Sequence, residues 1–182
     1  MPSQAGRPGG RGQIWTAAFL AMALGAGLGA VAHGWVLPPA TNVVIWHGIH
    51  LALGLSMALF VAGALEDGWG LGRRVLPTAL IIGALFPLAS WLAGGSFAVF
   101  LLSAMPALVG VFGVYLRLAR QHFPGAGSIA AAMALQVVAG GVQASRWGWA
   151  GPLPLDHNGL FHLVQMGAVG VLSRGLRQGR YK

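Results

Sequence analysis

Six apolar runs, each about 20 residues long, account for most of this sequence. A helix needs about 20 consecutive apolar residues to cross the hydrocarbon core of a bilayer. The runs cover residues 13–36, 42–65, 74–92, 97–118, 128–145 and 159–176. The connections between them are short and rich in proline and glycine. The pattern therefore predicts an all-α fold, a polytopic transmembrane helix bundle with six spans.

The composition agrees with a membrane protein and argues against a soluble domain. Hydrophobic residues make up 56% of the 182 residues, and charged residues make up only 8%. A soluble domain carries about 25% charged residues, which cover its surface in water. The chain has no cysteine, which excludes disulfide bonds and thiolate metal sites.

No linker is long enough to separate two domains, so we expect one transmembrane domain over residues 13–177. A disordered basic tail is expected over residues 1–12, and a short basic tail over residues 178–182. A second interpretation of the first run stays open. The sequence Ala30-Val31-Ala32 follows an apolar stretch as a signal-peptide cleavage site would, and cleavage there would leave His33 as a new N-terminus.

The basic residues predict an orientation. If the N-terminus is inside, ten of the eleven basic residues lie on the inner side: Arg7, Arg11, Arg73, Arg74, Arg117, Arg120, Arg174, Arg177, Arg180 and Lys182. Only Arg146 lies outside. Because cytoplasmic loops carry an excess of Lys and Arg, we expect an N-in, C-in multi-pass protein of the bacterial inner membrane.

The net charge of +8 would also suit a protein that binds nucleic acid. The arginines, however, lie in short loops and tails between apolar runs rather than along one basic face. We therefore expect membrane lipids as partners and no nucleic acid. A homo-oligomer or hetero-oligomer within the membrane remains open.

Five of the six histidines lie where the apolar runs reach the predicted outer side. They are His33, His47, His50, His157 and His162. Ionisable side chains are costly in a bilayer and usually have a function there. Imidazole is also the commonest protein ligand for transition metals, and it binds haem iron. The sixth histidine, His122, lies in a predicted inner loop, where we expect it to be solvated.

The last run begins with the most distinctive motif of the chain. Asp156 or Asn158 is placed to cap the helix by accepting a hydrogen bond from a free backbone amide. Asn158, His162 and Gln165 follow one another at spacings of four and three, so they share one helical face. We expect His162 to point into the bundle.

The segments GAVAHG, residues 29–34, and HNGLFHLVQ, residues 157–165, resemble those of uncharacterised bacterial multi-helix proteins. The last helix of those proteins opens with an HND-x-F/Y-H-x-x-Q-like motif. They are distantly similar to the CREST superfamily of membrane hydrolases, which includes the alkaline ceramidases and the progestin/adipoQ receptors. That superfamily is a seven-helix bundle in which three histidines hold zinc and a serine and an aspartate assist.

The resemblance implies a zinc site formed by His33, His157 and His162. It implies hydrolysis of a lipid amide or ester by a zinc-bound hydroxide. Asp156 is the acid nearest the predicted site and is the candidate for proton transfer. The side chains expected around the ligands are His47, His50, Asn158 and Gln165. The chain departs from the superfamily pattern at Gly29, where a serine is usual, and in having six runs rather than seven.

Two other classes of function stay open on the sequence. A haem b-binding subunit for electron transfer needs two axial imidazoles on facing helices, which His33 with His50, or His47 with His162, would supply. A non-catalytic membrane scaffold or assembly subunit would carry the same histidines as interfacial residues. An absorption spectrum and a metal analysis separate the three classes.

Overall fold

The computed structural model describes residues 10–92, 97–145, 147–150 and 155–179. Its regular structure consists of helices: α1 (Gly10–Gly34), α2 (Pro39–Trp69), α3 (Gly72–Leu92), α4 (Phe97–Arg120), α5 (Ala126–Ser145) and α6 (His157–Gln178). The described residues form no strand, apart from an isolated antiparallel bridge between Trp149 and Leu155. The predicted all-α fold is therefore confirmed.

The helices start and end close to the predicted runs, but several extend further into the loops. Helix α1 begins at Gly10, so it includes the last three residues of the predicted tail over residues 1–12. Arg11, in the first turn of this helix, bonds to Asp67 of α2. Residues 1–9 and 180–182 lie outside the described part of the chain.

Four helices are long and apolar enough to cross a membrane within the described residues: α1, α2, α3 and α5. The outward side chains of these helices are also apolar. Ile81, Ile82 and Leu85 on α3, for example, are more than half exposed. A soluble protein rarely exposes such a continuous apolar face, whereas a lipid environment accepts it. The chain is thus built as a membrane protein, and the number of six spans remains a prediction.

The contacts divide the chain into two compact units, residues Met1–Ala104 and Met105–Lys182. The division lies inside α4, beside Pro106. Proline lacks the backbone N–H that an inner turn of a helix needs, so a helix is locally weaker at this position. The prediction of one transmembrane domain over residues 13–177 stays a prediction.

In the first unit, α2 packs against α1 on one side and against α3 on the other. The turn from α2 to α3 closes at Gly70, whose φ of 68° is left-handed. The amide of Gly70 there donates to the carbonyl of Glu66, which is the 5→1 bond of an αL C-cap. Further along, a Cβ atom at Gly83 would lie 2.6 Å from the carbonyl oxygen of Gly54. Glycine therefore allows α2 and α3 to approach closely.

In the second unit, α5 packs against α6. The buried residues of α6 are Ala168, Leu172, Gly175 and Leu176. They recur at intervals of four and three, as one face of a helix requires. Gly125, in the turn before α5, packs against the backbone of Gly175, so this turn touches α6 near its C-terminal end.

The predicted orientation gives a direct test of the topology. Because ten of eleven basic residues fall on one side of six spans, we expect both termini in the cytoplasm. A C-terminal fusion to a fluorescent protein that matures only in the cytoplasm should fluoresce. A C-terminal fusion to a phosphatase that is active only in the periplasm should be inactive. The opposite pair of results would reverse the orientation.

Candidate histidine site

The antiparallel order of the first three helices brings histidines to one end of the first unit. Helix α1 ends just after His33, and α2 begins a few residues later and carries His47 and His50 in its first half. Helix α3 returns to the same end and carries Ser90 in its last turn. We call this end of the first unit the histidine end.

His50 is the buried member of the group, with only 3% of its surface exposed. Its Nδ1 atom and the Oγ atom of Ser90 form a hydrogen bond of 3.3 Å, in which the donor depends on the histidine tautomer. Ser90 is fully buried. The bond therefore joins α2 to α3 inside the unit, and it fixes the orientation of the imidazole ring.

Trp46 connects the buried histidine to the end of α1. Its ring centroid lies 5.5 Å from that of His33, edge to face, and 6.0 Å from that of His50. His33 itself is exposed, and His47 is half-buried. We call His33, Trp46, His50 and Ser90 the histidine cluster.

Sequence reasoning missed two members of this cluster. Ser90 lies in an apolar run without a motif, and Trp46 is typical of a membrane interface. The antiparallel order of α2 and α3 would have predicted that Ser90 lies near His50. In that order, the last turn of α3 lies opposite the first half of α2.

In the second unit, Asp156 caps helix α6. Its Oδ1 atom accepts a hydrogen bond of 2.7 Å from the amide of Gly159. The predicted cap is thus confirmed, with Asp156 rather than Asn158 as the capping residue. The predicted role of Asp156 in proton transfer stays a prediction.

The two histidines of α6 lie on different faces. His157 is half-buried and lies eleven residues before Ala168, which places it on the face of α6 that packs inward. His162 is exposed, and its ring contacts that of Phe161 at 4.9 Å. Within the second unit, the residues that pack inward follow the face of Ala168, and the expectation that His162 points into the bundle stays a prediction.

The second unit also contains the predicted residues Asn158, Gln165 and His122. Asn158 and Gln165 are half-buried on α6. His122 is exposed in the turn between α4 and α5, as expected for a loop residue, and its φ of 57° is left-handed.

The described residues contain no group of three or more histidine or acidic side chains that could hold a metal ion. His33 belongs to the first unit, whereas His157 and His162 belong to the second. The convergence of the three imidazoles stays a prediction.

The fold and these residues define a class of protein, a helical membrane protein with histidines at its helix ends. The chain belongs to the family of unknown function DUF6962, which it matches over residues 4–181. No curated protein matches the chain, and no solved structure does.

Proposed function

We propose that this membrane protein carries a histidine site for a transition metal or haem iron on the outer side of the bacterial inner membrane. The observation that carries the proposal is the burial of His50 in an apolar helix with Ser90 as its partner. Ionisable side chains within membrane helices are rare and usually belong to functional sites.

The hydrogen bond between Ser90 and His50 is also typical of a metal-binding histidine. A histidine that binds a metal usually has its second ring nitrogen held by another polar group, which fixes the ring and its tautomer. His33, linked to His50 through Trp46, supplies a second imidazole at the same end of the unit.

The reaction that we propose for a zinc-bound form is hydrolysis of a lipid amide or ester. Its support is the resemblance of the His33 segment and of the α6 motif to those of membrane hydrolases. The described residues do not assemble three zinc ligands, so the structure supports no reaction step through the metal.

A non-catalytic membrane subunit is the second candidate. It is favoured by the exposure of His33 and His162, which is typical of interfacial residues, and by the scattered placement of the histidines within each unit. In this case the bond between His50 and Ser90 would only join α2 to α3, as polar side chains do in membrane bundles.

The test is a metal analysis and an absorption spectrum of the full-length protein, purified in detergent without added chelator. We expect about one zinc or one haem per chain, and a Soret band identifies the haem form. We expect His50→Ala to lose the bound group. Ser90→Ala should weaken its binding about 10-fold to 100-fold, the usual effect of removing a group that holds a metal-binding histidine.

The variant His162→Ala distinguishes between two possible metal sites. One is the ligand set that the sequence motif predicts, which includes His162, and the other is a site formed only by residues of the first unit. Loss of the metal in this variant would support the motif, whereas full retention would remove His162 from the ligands. His122→Asn is the control, because His122 is exposed and asparagine tolerates a left-handed backbone. Wild-type protein without stoichiometric metal or haem would overturn the proposal in favour of the non-catalytic subunit.

A further inference from the structure

Three arginines are brought to one end of the second unit. Arg120 is the last residue of α4, and Arg174 and Arg177 lie in the last two turns of α6. The hydroxyl of Ser128, at the start of α5, donates a hydrogen bond of 3.5 Å to the Oε1 atom of Gln178, at the end of α6. The short turn between α4 and α5 brings Arg120 to the same place. We call Arg120, Arg174 and Arg177 the arginine end.

The second unit has no acidic residue near these arginines. Its only acid is Asp156, which lies 18 residues before Arg174 at the other end of α6. At 1.5 Å per residue, that separation is about 27 Å. The distance exceeds the Debye length of about 8 Å at physiological ionic strength. Asp156 therefore does not neutralise the arginine end.

Helix dipoles do not neutralise the arginine end either. The C-terminus of a helix carries about half a negative charge, and the N-terminus carries about half a positive charge. The ends of α4 and α6 and the start of α5 thus offset only a small part of three guanidinium charges. All three arginines are exposed. Arg177 donates a hydrogen bond of 3.1 Å to Ser173, which is neutral, so its charge also remains.

In the first unit, by contrast, acidic side chains lie beside basic residues. There the guanidinium of Arg11 forms a salt bridge with Asp67. The carboxylate of Glu66 accepts a hydrogen bond of 3.3 Å from the backbone amide of Arg73. The first unit thus has acidic side chains beside Arg11 and Arg73, whereas the arginine end of the second unit has none nearby.

We propose that the arginine end binds the headgroup of an anionic phospholipid. Helix α5 starts at this end of the unit and is long and apolar enough to cross a membrane, so its start lies at the depth of the headgroups in a bilayer. Exposed arginines at that depth attract anionic lipids. Guanidinium groups also bind phosphate oxygens in pairs, with geometry that ammonium groups lack. This site lies apart from the histidine cluster, and its test is independent of metal binding.

The experiment is native mass spectrometry of the full-length protein in detergent, titrated with phosphatidylglycerol or with phosphatidylcholine of the same chain length. We expect phosphatidylglycerol to bind in preference to phosphatidylcholine. The double variant Arg174→Gln and Arg177→Gln should bind phosphatidylglycerol about fivefold more weakly for each arginine removed. Arg74→Gln, an exposed arginine of the first unit, is the control and should bind like the wild type.

Three results would overturn the proposal. Equal binding of the two lipids would show that charge is not recognised. An equal loss in Arg74→Gln would show that only the total charge of the protein matters. Tighter binding of an acidic peptide, added in competition, would assign the surface to a protein partner.

Discussion

Gly125→Ala is expected to destabilise the second unit by about 3 kcal/mol or more, from two effects that add at this position. Gly125 has a φ of 80°, and a residue with a Cβ atom in the left-handed region costs about 1–2 kcal/mol. The added Cβ atom would also collide with the backbone carbonyl of Gly175 on α6. A backbone atom cannot move aside as a flexible side chain can, so overpacking adds about 1–3 kcal/mol.

Gly127→Ala is the matched control for this prediction. Gly127 lies two residues further on, in the first turn of α5, and a Cβ atom added there would meet no heavy atom within 4 Å. Alanine is preferred over glycine in helices by about 1 kcal/mol, so this variant should be as stable as the wild type or slightly more stable. The measurement is thermal unfolding in detergent, followed by circular dichroism. Equal unfolding temperatures for the two variants would contradict the close approach of the turn to α6.

Asp67→Asn is expected to destabilise the packing of α1 on α2 by about 2 kcal/mol. The Nε and Nη2 atoms of Arg11 bond to the two carboxylate oxygens of Asp67 at 2.5 Å and 3.0 Å. The side chain of Asp67 is only 1% exposed, and that of Arg11 is 25% exposed. Asparagine keeps the shape but removes the charge, so the guanidinium would face a neutral amide. The exposure of Arg11 keeps the loss below that of a fully buried pair.

Glu66→Gln, at the neighbouring position, is the control for this second prediction. Glu66 accepts its hydrogen bond from the amide of Arg73 at an exposed site, and a glutamine oxygen can accept the same bond. We expect a change of less than about 0.5 kcal/mol, as for most surface substitutions. Thermal unfolding of both variants, at low and at high salt, measures the difference. If Asp67→Asn unfolds at the wild-type temperature, the ion pair does not hold α1 in place.

The candidate site was only partly predictable from the sequence. The helix order predicted that His33, His47 and His50 would lie on one side of the membrane, and the structure places them at one end of the first unit. The bond between His50 and Ser90 was missed, because no pattern within α3 distinguishes Ser90 from a serine that faces lipid. The exposure of His162 within the second unit was also not predicted. A shared face with Asn158 and Gln165 shows which residues lie together, and it does not show which face meets a neighbouring helix.

The sequence by itself determined the helices of this protein. The sequence consists of runs of about 20 apolar residues, separated by proline and glycine. In lipid such a run must form a helix, because a helix satisfies the hydrogen bonds of all its backbone groups internally. Only the tertiary structure decided which side of each helix packs. In a membrane, apolar side chains are accepted on every face, so hydrophobicity does not point inward as it does in water. Close approaches at glycines such as Gly83 and Gly175 mark packed faces instead. Within their own units, His50 is buried whereas His162 is exposed.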